Sequence, residues 1–154
     1  MKKTTAAILG ALLFTGGVTP AMAMDSETLL SQPARYRVLF ANDEQTVYAD
    51  KETIRAMATR DYPGSIENMS AVFYVETYKP RRDAMDFENG ALVERIDEYT
   101  VRLSGNKVKG LYAMEKTLAA SYDSAGKELS PAGKAHWEAD ADELYRALFR
   151  VSHL

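Results

Sequence analysis

"EYTVRLSGNKVKGLYAMEKTLAASY", Glu98 to Tyr122, alternates apolar and polar residues over most of its length. On an extended chain Tyr99, Val101 and Leu103 share one side, while Glu98, Thr100 and Arg102 take the other. Ser104-Gly105-Asn106 has the composition of a turn, and the chain then returns. Val108, Tyr112, Met114, Leu118, Ala120 and Tyr122 fall on one side of the return, with Lys107, Lys109, Glu115, Thr117 and Ser121 opposite. A period of two sustained this long is the mark of half-buried antiparallel strands. Lys116 interrupts the inward row, which points to a bulge or an edge position there.

Upstream, the same logic finds more sheet. Tyr36 to Ala41 (YRVLFA) and Thr46 to Ala49 (TVYA) are rich in β-branched and aromatic residues and are separated by Asn42-Asp43-Glu44-Gln45, which predicts a hairpin. Asp50 suits a helix N-cap, and Ile54, Met57 and Ala58 follow at helical spacing, so a short helix is expected before Asp61-Tyr62-Pro63-Gly64. Met69 to Lys79 (MSAVFYVETYK) carries apolar residues on both sides, the pattern of a central strand covered on each face, and Pro80 stops it. Arg81 to Gly90 is charged and aperiodic and is expected to be a loop.

Downstream lie the only tryptophan, Trp137, and one of two histidines, His136. Asp140-Ala141-Asp142-Glu143 forms a capping signature ahead of Leu144, Ala147, Leu148 and Val151, spaced as one helical stripe. Helix-start physics therefore accounts for these acids, Asp142 sitting where the helix dipole is positive. His136 and Glu138 flank Trp137; a general base oriented by a carboxylate would still need a nucleophile and an oxyanion device. The packing alternative, Trp137 anchoring the helix into the core while its neighbours face water, needs nothing more. His153 lies far along the chain and there is no cysteine, so no metal site, thiol nucleophile or disulfide framework is expected, and no cofactor. Together these elements predict an α+β fold: an antiparallel β-sheet with a short N-terminal helix and a C-terminal helix packed on the sheet.

The start of the chain reads as an address. Lys2 and Lys3 precede a small, apolar run from Thr4 to Val18, Pro20 breaks it, and Ala21-Met22-Ala23 supplies the small residues of a signal-peptidase site. That run is shorter than the ~20 residues a membrane-spanning helix requires. Residues 1–23 are thus expected to be a signal peptide, 24–35 a flexible leader, and 36–154 one domain, exported to the periplasm or the cell surface. The whole chain has a net charge of −3, and losing Lys2 and Lys3 makes it more acidic still, which argues against nucleic acid as a partner. Against that balance, Lys79-Pro80-Arg81-Arg82 is a compact basic spot. Lys79, Arg81 and Arg82 are the candidate partner-binding residues, since arginine suits carboxylate and sulfate groups; the plain alternative is a solvated turn.

"VYADKETI" (Val47 to Ile54) resembles the strand-Asp-helix opening of the surface-adhesin protein E family of small exported bacterial proteins. "SYDSAGKEL" (Ser121 to Leu129), Trp137 and a terminal helix resemble that family's close: tyrosine strand, glycine-bearing turn, tryptophan, helix. Members often carry a cysteine pair tying the late strands to the last helix, which this chain lacks. The resemblance implies an antiparallel sheet with a helix packed on it, sometimes dimeric, that binds host matrix or serum proteins. The expectation is a non-enzymatic binding module whose partner is an extracellular host protein or a sulfated glycan. The alternatives are a periplasmic structural or accessory protein and, third, a small hydrolase using His136 and Glu138.

Overall fold

A strand of 13 residues needs hydrogen-bond partners along both of its edges, and β4 (Ile66–Tyr78) obtains them from three other strands. One edge pairs antiparallel with β5 (Val93–Asn106) from Ile66↔Asn106 to Tyr78↔Val93. The other edge is tiled by two short strands: β2 (Gln45–Asp50) covers Thr77 to Phe73, and β3 (Arg55–Ala58) covers Ser70 to Glu67. In the gap between them the Val72 N–H donates to the Thr53 hydroxyl at 2.8 Å. β1 (Tyr36–Ala41) and β6 (Leu111–Tyr122) close the two sides, giving an antiparallel six-stranded sheet in the order β1-β2-β4-β5-β6, with β3 beside β4. The computed structural model describes residues 23–58, 66–79, 93–106, 109–129 and 137–153.

Each face of this sheet is covered by a helix. On the first face lie Val47, Ala49, Met69, Ala71, Phe73, Val75, Tyr99, Val101 and Leu103, and α2 (Ala141–Ser152) packs Leu144, Tyr145 and Leu148 against them. Asp140 starts α2 as expected, its carboxylate accepting from the N–H groups of Asp142 at 2.9 Å and Glu143 at 3.0 Å. Trp137 is buried just before that cap, its ring 6.0 Å from Phe73 and 5.2 Å from Tyr99. On the second face a tyrosine-rich cluster of Tyr36, Tyr48, Tyr74, Ile96 and Tyr122 receives Met24 and Leu29, the latter from α1 (Ser26–Ser31).

Several expectations give way here. The helix expected after Asp50 is a single 3-10 turn, Lys51–Thr53, and Ile54, Met57 and Ala58 do not form a helical stripe, because β3 is needed at the exposed edge of β4. The segment 24–35, read as a flexible leader, contains α1: Asp25 caps it by accepting from Thr28 N–H at 2.7 Å, and Leu29 is fully buried. Ser104-Gly105-Asn106 is not a turn. β5 runs through it, beginning five residues before Glu98, and the reversal comes at Lys109-Gly110, where Gly110 takes φ +63°. Gly105 is small for another reason, since a Cβ there would lie 2.9 Å from the rings of both Tyr112 and Tyr145.

A bulge does occur in β6, but at Ala119 rather than Lys116: Tyr99 pairs with Leu118 and Glu98 with Ala120. It moves Ala120 and Tyr122 to the second face, away from the row shared by Tyr112, Met114 and Leu118. Lys116 does hold the edge position expected as the alternative, since β6 is an outer strand; it keeps its place in that row, its ammonium 5.1 Å from the centre of the Trp137 ring. The expected turn at 61–64, loop at 81–90 and His136 lie outside the described residues. Among the described residues no helix is long and apolar enough to cross a membrane.

Two substitutions test this packing. Leu148→Ala removes a fully buried side chain between α2 and the sheet and is expected to lower unfolding stability by about 2–5 kcal/mol in a denaturant melt. Gly105→Ala drives a methyl group into two aromatic rings, and a loss of roughly 1–3 kcal/mol is expected; an unchanged midpoint would show that Tyr112 and Tyr145 yield freely.

Candidate binding cleft

The alternation that places Val47, Phe73 and Tyr99 on the first face places Tyr48, Tyr74 and Glu98 on the second. There α1 covers only part of the sheet. Beside it opens a cleft of about 810 Å³, lined by Met24, Thr28, Gln32, Arg35, Tyr36, Tyr74, Glu98, Ala120, Tyr122 and Glu128, among others. This volume is within the range of pockets that take small molecules.

Its charges are unevenly matched. Arg35 grips Asp50 through two hydrogen bonds, 3.1 Å from Nε and 2.8 Å from a terminal nitrogen, and lies 3.3 Å from Glu52. The hydrogen bond to Asp50 raises the guanidinium pKa further, so Arg35 is a fixed charge already answered by two carboxylates. It also lies 5.0 Å from the centre of the Tyr36 ring, and Tyr36 meets Tyr74 edge-to-face at 5.7 Å. Glu98 has a different setting. It accepts a long hydrogen bond, 3.4 Å, from the Tyr122 hydroxyl, and burial raises its carboxyl pKa, with Asp50 adding to the rise and Tyr122 opposing it. Burial likewise raises Tyr36, Tyr74 and Tyr122, the Glu98 charge contributing at each, so all three present protonated hydroxyls at neutral pH.

Two further polar groups hold the sheet. On the second face Glu76, only 3 % exposed, accepts from Tyr48 at 3.1 Å and from Tyr78 at 3.3 Å, and Tyr78 contacts the Thr46 hydroxyl at 2.6 Å. At the start of β5 Asp97, equally buried, accepts from Ser121 and pairs with Arg95 at 2.8 Å. Arg95 and Asp97 fix the chain that presents Glu98 to the cleft.

Of the residues singled out in the sequence, Lys79 is exposed immediately after β4, while Arg81 and Arg82 lie outside the described residues. Glu138 borders a smaller hollow between the β1–β2 hairpin and the start of α2, about 260 Å³, with Asp140 and Glu143. His153 closes α2, its Nδ1 2.8 Å from the Phe149 carbonyl oxygen. No cluster of three metal-ligating side chains occurs among the described residues. The second-face cleft was missed because Glu98 reads as a solvent-facing residue. The available signal was tyrosine at 48 and 74, out of phase with Val47 and with Phe73 and Val75.

Compared with known protein families, with characterised proteins and with solved structures, the chain matches none.

The raised Glu98 pKa has a defined consequence for stability. With its folded value above the ordinary 4.5, the folded state holds this proton more tightly than the unfolded chain does. The contribution is complete below 4.5 and is lost as pH rises through the folded value. Glu98→Gln keeps an acceptor for Tyr122 but has no charge to desolvate. It is expected to gain stability over wild type as pH rises through that window, the two converging in acid. Melts across pH check this, and a difference independent of pH would show that Glu98 is solvated.

Proposed function

We propose that this protein is an exported, non-enzymatic binding module of the surface-adhesin protein E type. The observation that carries the reading is the open second-face cleft, whose lining combines tyrosine hydroxyls and rings with a half-buried carboxylate, groups suited to recognising a ligand. The quoted motifs support it in their context. "VYADKETI" runs along β2 into the Asp50-capped turn, and "SYDSAGKEL" leaves β6 through a turn at Gly126 (φ +81°) before Trp137 and α2. The positive amino-terminal start, apolar run and Ala21-Met22-Ala23 support export. In this reading Lys79, Arg81 and Arg82 give the acidic domain a second, electrostatic contact with an acidic protein or a sulfated glycan.

The test has two arms. Protease added to intact cells is expected to release fragments of the domain, and the purified mature protein is expected to begin at Met24. Immobilised matrix proteins and heparin, probed at low and high salt, are expected to retain it in a salt-sensitive way, since exposed charges are screened beyond ~8 Å at physiological ionic strength. Reversing Arg81 and Arg82 to Glu should slow association with little effect on the melting temperature. A protein that shaving never reaches and no member of the panel retains would be a periplasmic accessory component instead.

A further inference from the structure

From the charge balance of the second-face cleft we infer that it accepts an alkylammonium group, held by the Glu98 carboxylate against the wall formed by Tyr74 and Tyr122; this deepens the binding-module reading and rests on it. The cleft is lined by one side-chain cation, Arg35, and two anions, Glu98 and Glu128; in the processed protein that begins at Met24 the lining also holds the Met24 α-ammonium, which answers one of the two anions. Arg35 is satisfied by Asp50 and Glu52 outside the lining, so the charge left facing the open volume is negative. Glu98 is the deeper of the two carboxylates and has a single long hydrogen bond, from Tyr122, with no side-chain cation paired to it among the described residues. A half-buried carboxylate without a paired side-chain cation is costly, and a ligand cation entering from the cleft would offset that cost.

The walls select which cation. Tyr74 and Tyr122, largely buried, line the same space, and aromatic walls attract a diffuse cation while offering it apolar contact; the Tyr36 ring already lies under Arg35. A strongly hydrated ion would lose its water there and gain only one carboxylate and two hydroxyls. A methylated or alkyl-substituted ammonium brings less hydration to lose and apolar surface to bury. Anions are disfavoured by Glu98 and Glu128, and Arg35 is committed elsewhere.

The experiment titrates the exported protein, purified as the cell makes it, with choline. A parallel titration uses choline's uncharged isostere, in which a tert-butyl group replaces the trimethylammonium. The readout is the NMR shift of the Tyr74 and Tyr122 ring resonances. Choline is expected to move them saturably, and the isostere to bind about tenfold more weakly because it lacks the charge. Glu98→Gln, which preserves the Tyr122 contact, is expected to weaken choline by a similar factor and leave the isostere unchanged. Phosphatidylcholine vesicles form a second arm. Retention on vesicles at matched choline concentration assigns the ammonium to a lipid headgroup, whereas binding of free choline alone assigns it to a small solute. Equal affinity for choline and isostere, choline shifts that survive Glu98→Gln, or no shift at all would each overturn the inference. Choline silent while the matrix panel is positive overturns only the ammonium assignment and leaves the binding-module reading standing. Choline bound while the panel is negative supports the cleft assignment and removes the matrix partner.

Discussion

The edges of β4 organise this protein. A central strand that leaves backbone groups unpaired inside the fold would forfeit several hydrogen bonds, so every neighbour is arranged around its 13 residues. β5 matches it along one side almost without interruption. The other side cannot be filled by β2 alone, because β2 ends at Asp50 opposite the middle of β4. Asp50 then does two things. It caps a single helical turn by accepting from Glu52 N–H, and it receives Arg35, which locks the beginning of β1. That turn reverses the chain only enough for β3 to resume the ladder, with Thr53 supplying the bond that neither strand can make.

This constraint explains which parts of the fold were legible in the sequence. β1, β2 and β4 announce themselves by local composition, and α2 by its capping acids and apolar stripe, because each is decided by neighbours within a turn or a few residues. Residues 54–58 are not decided locally. Their spacing suits a helix, but the unpaired edge of β4, the next strand along the chain, lies outside that local window and overrides it. Gly105 likewise carries a turn residue's name, yet two tyrosines from different elements require its smallness. The phase change at Ala119 hid the second face, since alternation continued past it would assign Ala120 and Tyr122 to the wrong side. Glu98, the centre of the candidate cleft, was invisible for the same reason: the side chain that engages it, Tyr122, lies beyond that bulge.

A sheet covered on both faces must decide where its polar residues go. Here each buried acid is tied to side-chain partners: Asp50 to Arg35 just ahead of β1, Asp97 to Ser121 of β6 and to Arg95 of its own strand, Glu76 to Tyr48 of β2 and to Tyr78 of its own strand. Such pairs contribute little net stability over apolar substitutes, but breaking one leaves an uncompensated charge, so they penalise every misregistered pairing of the strands. In a chain without disulfides, strand register is thereby specified by polar ties across the sheet and by packing on either side of it. Glu98 alone among the interior acids of the sheet lacks a firm partner, which sets it apart from the rest.

The docking of the chain's first described residues orders events in time. Met24 is only 4 % exposed, Asp25 is engaged as the cap of α1, and Gly126 sits so close that a Cβ there would be 3.5 Å from that of Ala23. A protease cutting between Ala23 and Met24 needs several residues drawn out and extended, which this docked arrangement denies it. On the proposed export reading, scission therefore belongs before the closing of the second face, while the chain is still loose. On that reading a precursor that folded first would shield its own scissile bond, and the tyrosine cluster would act as a clock on processing.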